Sequence, residues 1–338
     1  MKLELSPTEV YDTFWRFASE RQAVYFRRLV DPYGPWSDDP ILNEYRFTNA
    51  YRVTDRVSQH LVRDVQYDPK RPDTRNELFF RTMLFKIFNR IETWELLERS
   101  LGPVNSETTP LHRISEVLDD HLSTGARIYS AAYIMPSPDF GHSRKHQNHL
   151  AMLDRMMHDD LPGKLAIAST LESAYKMFLQ YPGLGPFLAF QYCIDLNYSV
   201  LMNFDEAEFV VAGPGALDGI AKCFHNADST DPSTIIHWMV EHQEHEFDRL
   251  ELQFHDLYGR PLQPIDCQNV FCEVSKYARI AHPEVLSQSG RTRIKQRYKP
   301  NLQPSPQQPF FPPKWHLDTS RRIEPPPISN VAGQQRLF

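Results

Sequence analysis

The chain has 338 residues, is 41% hydrophobic and carries a formal net charge of −6. That is material for one large domain or two ordinary ones, and no run approaches the roughly 18 apolar residues of a membrane span. The opening "MKLELSPTEVYDTFW" lacks a basic segment followed by an apolar stretch, so it does not read as a signal peptide.

Helical periods dominate and long alternating β-branched runs are scarce. Residues 7–30, containing "FASERQAVYFRRL", predict a helix, and "DPYGPWSDDPI" after it predicts a loop. A helix is expected over 47–65, with Ala50, Val53, Val57 and Leu61 on its core stripe. Residues 75–101 are apolar nearly all round and predict one central helix. Shorter helices are expected near 111–123, 143–158 and 167–180, then a glycine hairpin at 181–187 and its helix over 186–202. "FVVAGPGALDGIAKCF" reads as an extended piece, a turn and a helix, and two more helices fit 233–257 and 266–280. The expected fold is all-α, with a helical domain over 1–287 and a flexible, Pro-rich, basic tail over 288–338. Nine prolines fall between Pro300 and Pro327.

Charge divides along the same boundary. Residues 288–338 carry nine Lys/Arg against Asp318 and Glu324, while residues 1–287 carry 28 basic against 41 acidic side chains. A nucleic-acid partner would therefore need a local basic groove and not global steering. Cys193, Cys223, Cys267 and Cys272 show no CxxC pairing and read as reduced thiols of a cytoplasmic protein.

"YPGLGPFLAFQYCIDLNYS" (181–199) holds the sharpest signal. Glycines two apart before a helix start can turn backbone N–H groups outward together, where the helix dipole also favours an anion. Gly183, Leu184 and Gly185 are the expected DNA-backbone contacts, with Arg56 as a further phosphate ligand. Helix, "PGLG", helix resembles the helix-hairpin-helix pattern of base-excision glycosylases. That resemblance implies a catalytic carboxylate in a later short segment. "EFVVAGPGALDGI" occupies that place, but Gly213 and Pro214 stand where the carboxylate would be. Lyase members carry a Lys just after the hairpin; Pro186 and Phe187 hold that position here, which implies no Schiff-base chemistry.

Seven stretches in order resemble a narrower family. They are "ERQAVYFRR", "PWSDDPIL", "YRFTNAYRVTDRVSQ", "FRTMLFKIFNRIETWE", "GPFLAFQYCIDLNYS", "VVAGPGALDGI" and "DCQNVFCEVSKYAR". The family is the α-glutamyl/putrescinyl-thymine pyrophosphorylase clade, related to the helical domain of 5-hydroxymethyluracil DNA kinases. The resemblance implies action on modified bases of phage-type DNA. The clade includes an anti-phage glycosylase for glucosylated hydroxymethylcytosine, and other members are predicted to join amines to activated thymines. No GxxxxGK[ST] loop is present.

Asp195 interrupts an apolar helix, and Tyr192, Asp195 and Tyr198 or Ser199 share one face. It is either a structural acid paired to a cation, or the carboxylate that stabilises an oxocarbenium-like sugar while the glycosidic bond breaks. Glu208, Asp205, Glu206 and Asp218 are rivals, Glu208 lying nearest the position the glycosylase pattern implies. Asn197 and Tyr198 are expected beside the substrate. Asn49, Arg52 and Arg56 fall on one stripe of the expected 47–65 helix, where Asn49 would read a base edge and Arg52 hold phosphate or the modified group. Arg81, Lys86 and Asn89 break the central apolar run, and the buried cations need partners such as Asp195 or Asp55. Phe47 and Trp94 are candidates for stacking on a flipped base. "IIHWMVEHQEHEF" has no HExxH order, so neither metal nor cofactor is expected. Glu273, Lys276, Tyr277 and Arg279 gather on a late helix.

The expected function is a monofunctional glycosylase acting on double-stranded DNA that carries a bulky modified pyrimidine, as a monomer away from membranes. The alternatives are a transferase that replaces pyrophosphate with an amine, and a module that only binds modified DNA. The terminal "QQRLF" resembles a bacterial sliding-clamp-binding peptide, with Gln334 at the pocket rim and Leu337 and Phe338 in its floor.

Overall fold

The structure, a computed structural model, describes residues 4–286, 290–299, 308–321 and 323–328. Among them there is no β-strand, only three isolated bridges, so the architecture is all-α. Among the described residues no helix is long and apolar enough to cross a membrane. The chain forms two compact units. The first comprises Met1–Asp55, Phe209–Pro309 and His316–Phe338; the second comprises Arg56–Glu208 and Phe310–Trp315.

The first unit opens with α1 (Glu9–Val30), where Thr8 accepts the Val10 amide as N-cap and Arg27 and Arg28 lie at the negative dipole end. The short α2 (Pro40–Glu44) turns inside the expected loop because Asp39 caps it and Pro40 presets its first turn.

The second unit holds α3 (Arg56–His60), which runs into a π-helical turn, Leu61–Gln66. The helix expected over 47–65 is thus confined to its second half. Arg52–Thr54 forms only a 3-10 turn, so Asn49, Arg52 and Arg56 do not share a helical stripe. The backbone is drawn off by side-chain acceptors: the Thr48 amide donates to the distant Glu273, Arg52 to the distant Asp266, and Asn49 to the nearby Asp55.

The expected central helix is two helices, α4 (Arg75–Phe88) and α5 (Ile91–Leu101). Asn89 ends α4 at φ 49°, a left-handed conformation that Asn tolerates better than most residues. Then come α6 (Leu111–Ser123) and α7 (Lys145–His158), the short α8 (Leu161–Ala166), which lies outside the expected helices, and α9 (Leu171–Phe178), which lies within the helix expected over 167–180. α10 (Pro186–Asn197) follows the hairpin and is the most apolar of the long helices.

The first unit resumes with α11 (Pro214–Cys223), α12 (Pro232–Arg249) and α13 (Pro264–Ala281). α11 lies directly on α13. A Cβ at Gly219 would stand 2.1 Å from the Phe271 carbonyl oxygen, and one at Gly215 would stand 2.3 Å from Cys272 Sγ. Gly215 and Gly219 are therefore packing residues that let α11 approach a side chain of α13 at the first and its backbone at the second. Tyr11, Phe14, Trp15, Phe224, Phe247 and Phe271 fill the core beside this contact.

Within the Pro-rich tail, residues 310–315 are fastened to the second unit. Gln59 and Phe310 exchange hydrogen bonds, and Trp315 stands edge-on to Tyr198 at 5.5 Å. Lys314 Nζ donates to the carbonyls of Asn197, Ser199 and Met202, the last at 2.6 Å, and so caps the end of α10. Gln334, Leu337 and Phe338 lie outside the described residues. All four cysteines are free.

Candidate functional site

The hairpin leaves α9 through Tyr181 and enters α10 at Pro186. Gly183 sits at φ 84°, which an L side chain resists, and the Leu184 amide closes the turn onto the Tyr181 carbonyl at 3.2 Å. Leu184 is buried and its amide is spent, which removes it from the expected phosphate contacts. Among the described residues the Gly183 and Gly185 amides have no intramolecular acceptor, and Gly185 is exposed. Two amides at the positive end of α10 are thus available to an anion.

Behind the hairpin, Asp195 is fully buried and its Oδ2 lies 2.8 Å from Lys86 Nζ. Lys86 also donates to Asn89 Oδ1 at 2.8 Å, which explains why the left-handed end of α4 is an asparagine. Gln66 Nε2 donates to the Asp195 carbonyl at 2.7 Å, and Tyr192 Oη to the Lys86 carbonyl at 3.3 Å. Burial, then the Asp195 charge, hold the Tyr192 phenol well above its ordinary range. Over Lys86 lies the Tyr133 ring, 4.9 Å from Nζ, and Tyr133 stacks on Phe187 at 5.8 Å and 10°. Phe187 is the second residue of α10. The second unit therefore runs from anion-facing amides, through an aromatic pair, to a buried ammonium–carboxylate pair. Sequence named Lys86 as a cation in need of a partner; Tyr133, on an irregular loop, carried no signal.

That loop is anchored. His149 Nε2 donates to the Pro136 carbonyl at 2.9 Å and Nδ1 accepts from Tyr129 Oη at 2.8 Å, so one neutral imidazole ties both flanks of Tyr133. Burial pushes the His149 imidazole down to about 4. The loop also borders the hairpin, with the Pro136 carbonyl and Pro138 ring 3.5 Å from where a Gly183 Cβ would be.

A second polar cluster lies in the first unit, where three of the family-like stretches converge. Arg21 Nη2 donates to Asn49 Oδ1 at 2.8 Å, and Asn49 Nδ2 donates to the Thr54 carbonyl at 3.0 Å. Asn49 is thus committed within the fold and not presented to a base edge. Asn269 Nδ2 reaches Thr48 Oγ1 and the Asn49 carbonyl, each at 3.0 Å. Burial raises Asp55 and Asp266 to about 6 against the opposing pull of their amide hydrogen bonds and of Arg52, and lowers Arg21 to about 10. Arg52 itself is buried. Phe47 packs on Phe17 and Tyr277 beneath Lys276.

Other sequence candidates are spent locally. Arg81 is buried and donates to the Val65 and Pro72 carbonyls, so its charge serves the backbone and not a ligand. Trp94 packs on Phe85. Asn197 exchanges hydrogen bonds with the Phe204 backbone, both at 2.9 Å, and the Tyr198 carbonyl accepts from Tyr67. Glu208 and Asp205 are exposed turn residues, Asp218 pairs with Ser275 and Lys222, and Glu206 is buried. Arg56 is exposed, 3.9 Å from Glu92. His242 stacks on Trp238 of its own helix. Gly213 and Pro214 form the start of α11, so no carboxylate stands at the place the glycosylase pattern implies.

The family described as the helical domain of 5-hmdU DNA kinase matches residues 8–287. A 5-hmdU DNA kinase of Bacillus phage SP10 is 23% identical over 290 residues, covering 79% of this chain and 45% of that protein. This chain thus spans under half the length of that relative. No solved structure matches it.

Proposed function

This chain belongs to the family of the 5-hmdU DNA kinase helical domain, and we propose that it binds double-stranded DNA bearing a 5-substituted pyrimidine and hydrolyses the N-glycosidic bond of that base. The observation that carries this reading is the buried Lys86–Asp195 pair, whose carboxylate stands on the helix that the hairpin begins and whose ammonium stands on α4. The free amides of Gly183 and Gly185 hold a phosphate without reading sequence. A flipped base enters where the Tyr133 ring now covers Lys86. Lys86 fixes and orients the Asp195 carboxylate, which offsets the positive charge that develops on the sugar as the base leaves. Water adds to the sugar carbon, the base departs with a proton, and an abasic site remains.

The relative supports a second reading. It is a 5-hmdU DNA kinase, and chemistry at the 5-substituent, such as replacement of pyrophosphate by an amine, would use the same DNA grip with the glycosidic bond left intact. Incubation with duplexes containing thymine, 5-hydroxymethyluracil or glucosylated 5-hydroxymethylcytosine separates the readings. Alkali-labile abasic sites confined to a modified duplex are the expected result. A mass change on an intact strand would establish transfer, and binding without any change in the DNA would reduce the chain to a recognition module.

A further inference from the structure

In the first unit, three side chains from the two ends of the family-matched segment meet. Glu9 begins α1, His282 caps the end of α13, and Glu284 follows two residues later. One ligand-competent atom from each lies within 4.8 Å of the other two. His282 is only 5% exposed, so its ring is fixed by the fold, whereas both glutamates are exposed. Its Nε2 lies 2.8 Å from Thr13 Oγ1, and the Thr13 hydroxyl lies 3.4 Å from the Glu9 carbonyl. With the hydroxyl proton on that carbonyl, Nε2 carries the ring proton and Nδ1 presents a lone pair. Nδ1 makes no hydrogen bond among the described residues and faces Glu284 Oε1 at 3.6 Å. A lone pair and two carboxylates within 4.8 Å of one another repel, and a cation between them offsets that repulsion.

We propose that Glu9, His282 and Glu284 form a binding site for one divalent transition-metal ion of the zinc class. Ligand atoms at about 2.0–2.2 Å from a tetrahedral ion lie roughly 3.3 Å from each other, so Nδ1 and Glu284 Oε1 already stand close to ligand spacing. The exposed glutamates supply the remaining closure by side-chain rotation, and solvent fills the fourth position. One imidazole with two carboxylates suits Zn²⁺ or Co²⁺; Mg²⁺ prefers an octahedral shell of oxygens. Thr13 is the outer partner that fixes the tautomer. The ion ties the start of α1 to the end of α13 and clips the two ends of the family domain together.

The test uses the full chain, stripped with a chelator and titrated with Zn²⁺ against a chromophoric competitor. One equivalent should bind, and the thermal midpoint should rise with Zn²⁺ concentration. Glu9→Gln/Glu284→Gln alters two exposed side chains, should keep the helical circular dichroism, and should weaken binding by at least about tenfold. Thr13→Val should weaken it less, because all three ligands remain. Co²⁺ should give visible d–d bands with no near-ultraviolet thiolate band. Absence of Zn²⁺ binding, which the opposite His282 tautomer would produce, overturns the proposal. So does equal affinity in the double variant, or a thiolate band that moves the metal to a cysteine.

Discussion

Two buried carboxylates of the first unit, Asp55 and Asp266, are held by backbone amides, whereas Asp195 of the second is held by an ammonium ion. Asp266 accepts from the Arg52 and Gln263 amides, and Asp55 from the Asn49 amide. Amides are fixed partial charges that cost no counter-ion, but they offset only part of the desolvation, and both acids settle at about 6. Asp195 faces a full charge inside a shell of aromatic and aliphatic side chains. The amide-held acids shape a backbone that would otherwise be helical. The ion-paired acid shapes nothing locally, because its helix is regular on both sides. A fully buried ion pair that joins α4 to the helix behind the hairpin is the better candidate for chemistry.

The largest test breaks the pair. Asp195→Asn leaves Lys86 buried and uncompensated, and should cost about 3–5 kcal/mol in urea unfolding, as should Lys86→Met. Lys86→Met/Asp195→Leu should return close to the parent stability while abolishing base release. A single variant as stable as the parent would show that the pair is solvated, and a double variant that retains activity would remove Asp195 from the chemistry.

How far this contrast was legible depends on what fixed each element. Helix starts were readable where proline stands in the first turn of a long helix, as at Pro186, Pro214, Pro232 and Pro264, but not at Pro40, whose short helix sits in a segment rich in turn residues. That Arg81 and Lys86 need buried partners was readable from their apolar helix, with Asp195 or Asp55 as the candidates; the fold pairs Lys86 with Asp195 and gives Arg81 to backbone carbonyls. The failure over 47–55 has a tertiary cause: Asp266 and Glu273, over two hundred residues away, capture amides that the local sequence would have given to a helix. The break at Asn89 was hidden because helical periodicity continues on either side of it. Tyr133, His149 and the Glu9–His282 meeting carry no spacing signal, since each is joined to its partners only by the fold.

The pH dependence of stability sharpens the comparison next. Asp55 and Asp266 rise from 3.8 to about 6 on folding, so the native state binds more protons than the unfolded chain between those values. Their contribution therefore makes stability fall as pH rises through that window. His149 falls from 6.5 to about 4, so the native state binds fewer protons there and its contribution grows as pH rises. The two units pull in opposite directions between about pH 4 and pH 6. Asp266→Asn should cost about 1–3 kcal/mol, because an amide group cannot accept both N–H bonds, and it should tilt the profile upward with pH. His149→Gln should tilt it downward. Parallel profiles for parent and both variants would show that these groups titrate normally.

A smaller effect comes from the mirror of the amide-held acids, a cation held by carbonyls. Lys314→Met leaves the Asn197, Ser199 and Met202 carbonyls at the end of α10 without their donor. A loss of about 1–2 kcal/mol is expected, with faster proteolysis between residues 310 and 315. Unchanged cleavage would mean that Phe310 and Trp315 hold the segment without it.

The smallest stability effect falls on the hairpin, where the functional effect should be largest relative to it. Gly183 has φ 84°, but a Cβ there would meet nothing nearer than 3.5 Å. Gly183→Ala therefore carries only the left-handed backbone penalty of about 1 kcal/mol. It keeps the amide and should leave DNA affinity nearly unchanged. Gly183→Glu carries the same backbone penalty and adds an anion beside the two free amides. It should weaken DNA binding severalfold at low salt, less at high salt, where screening blunts the repulsion. On the proposed role, in which the hairpin amides hold only a phosphate, the preference for a modified over an unmodified duplex should survive in both variants. Equal DNA affinity of the Ala and Glu variants across salt concentrations would remove the hairpin from the DNA contact. A changed base preference would place Gly183 beside the flipped nucleotide instead.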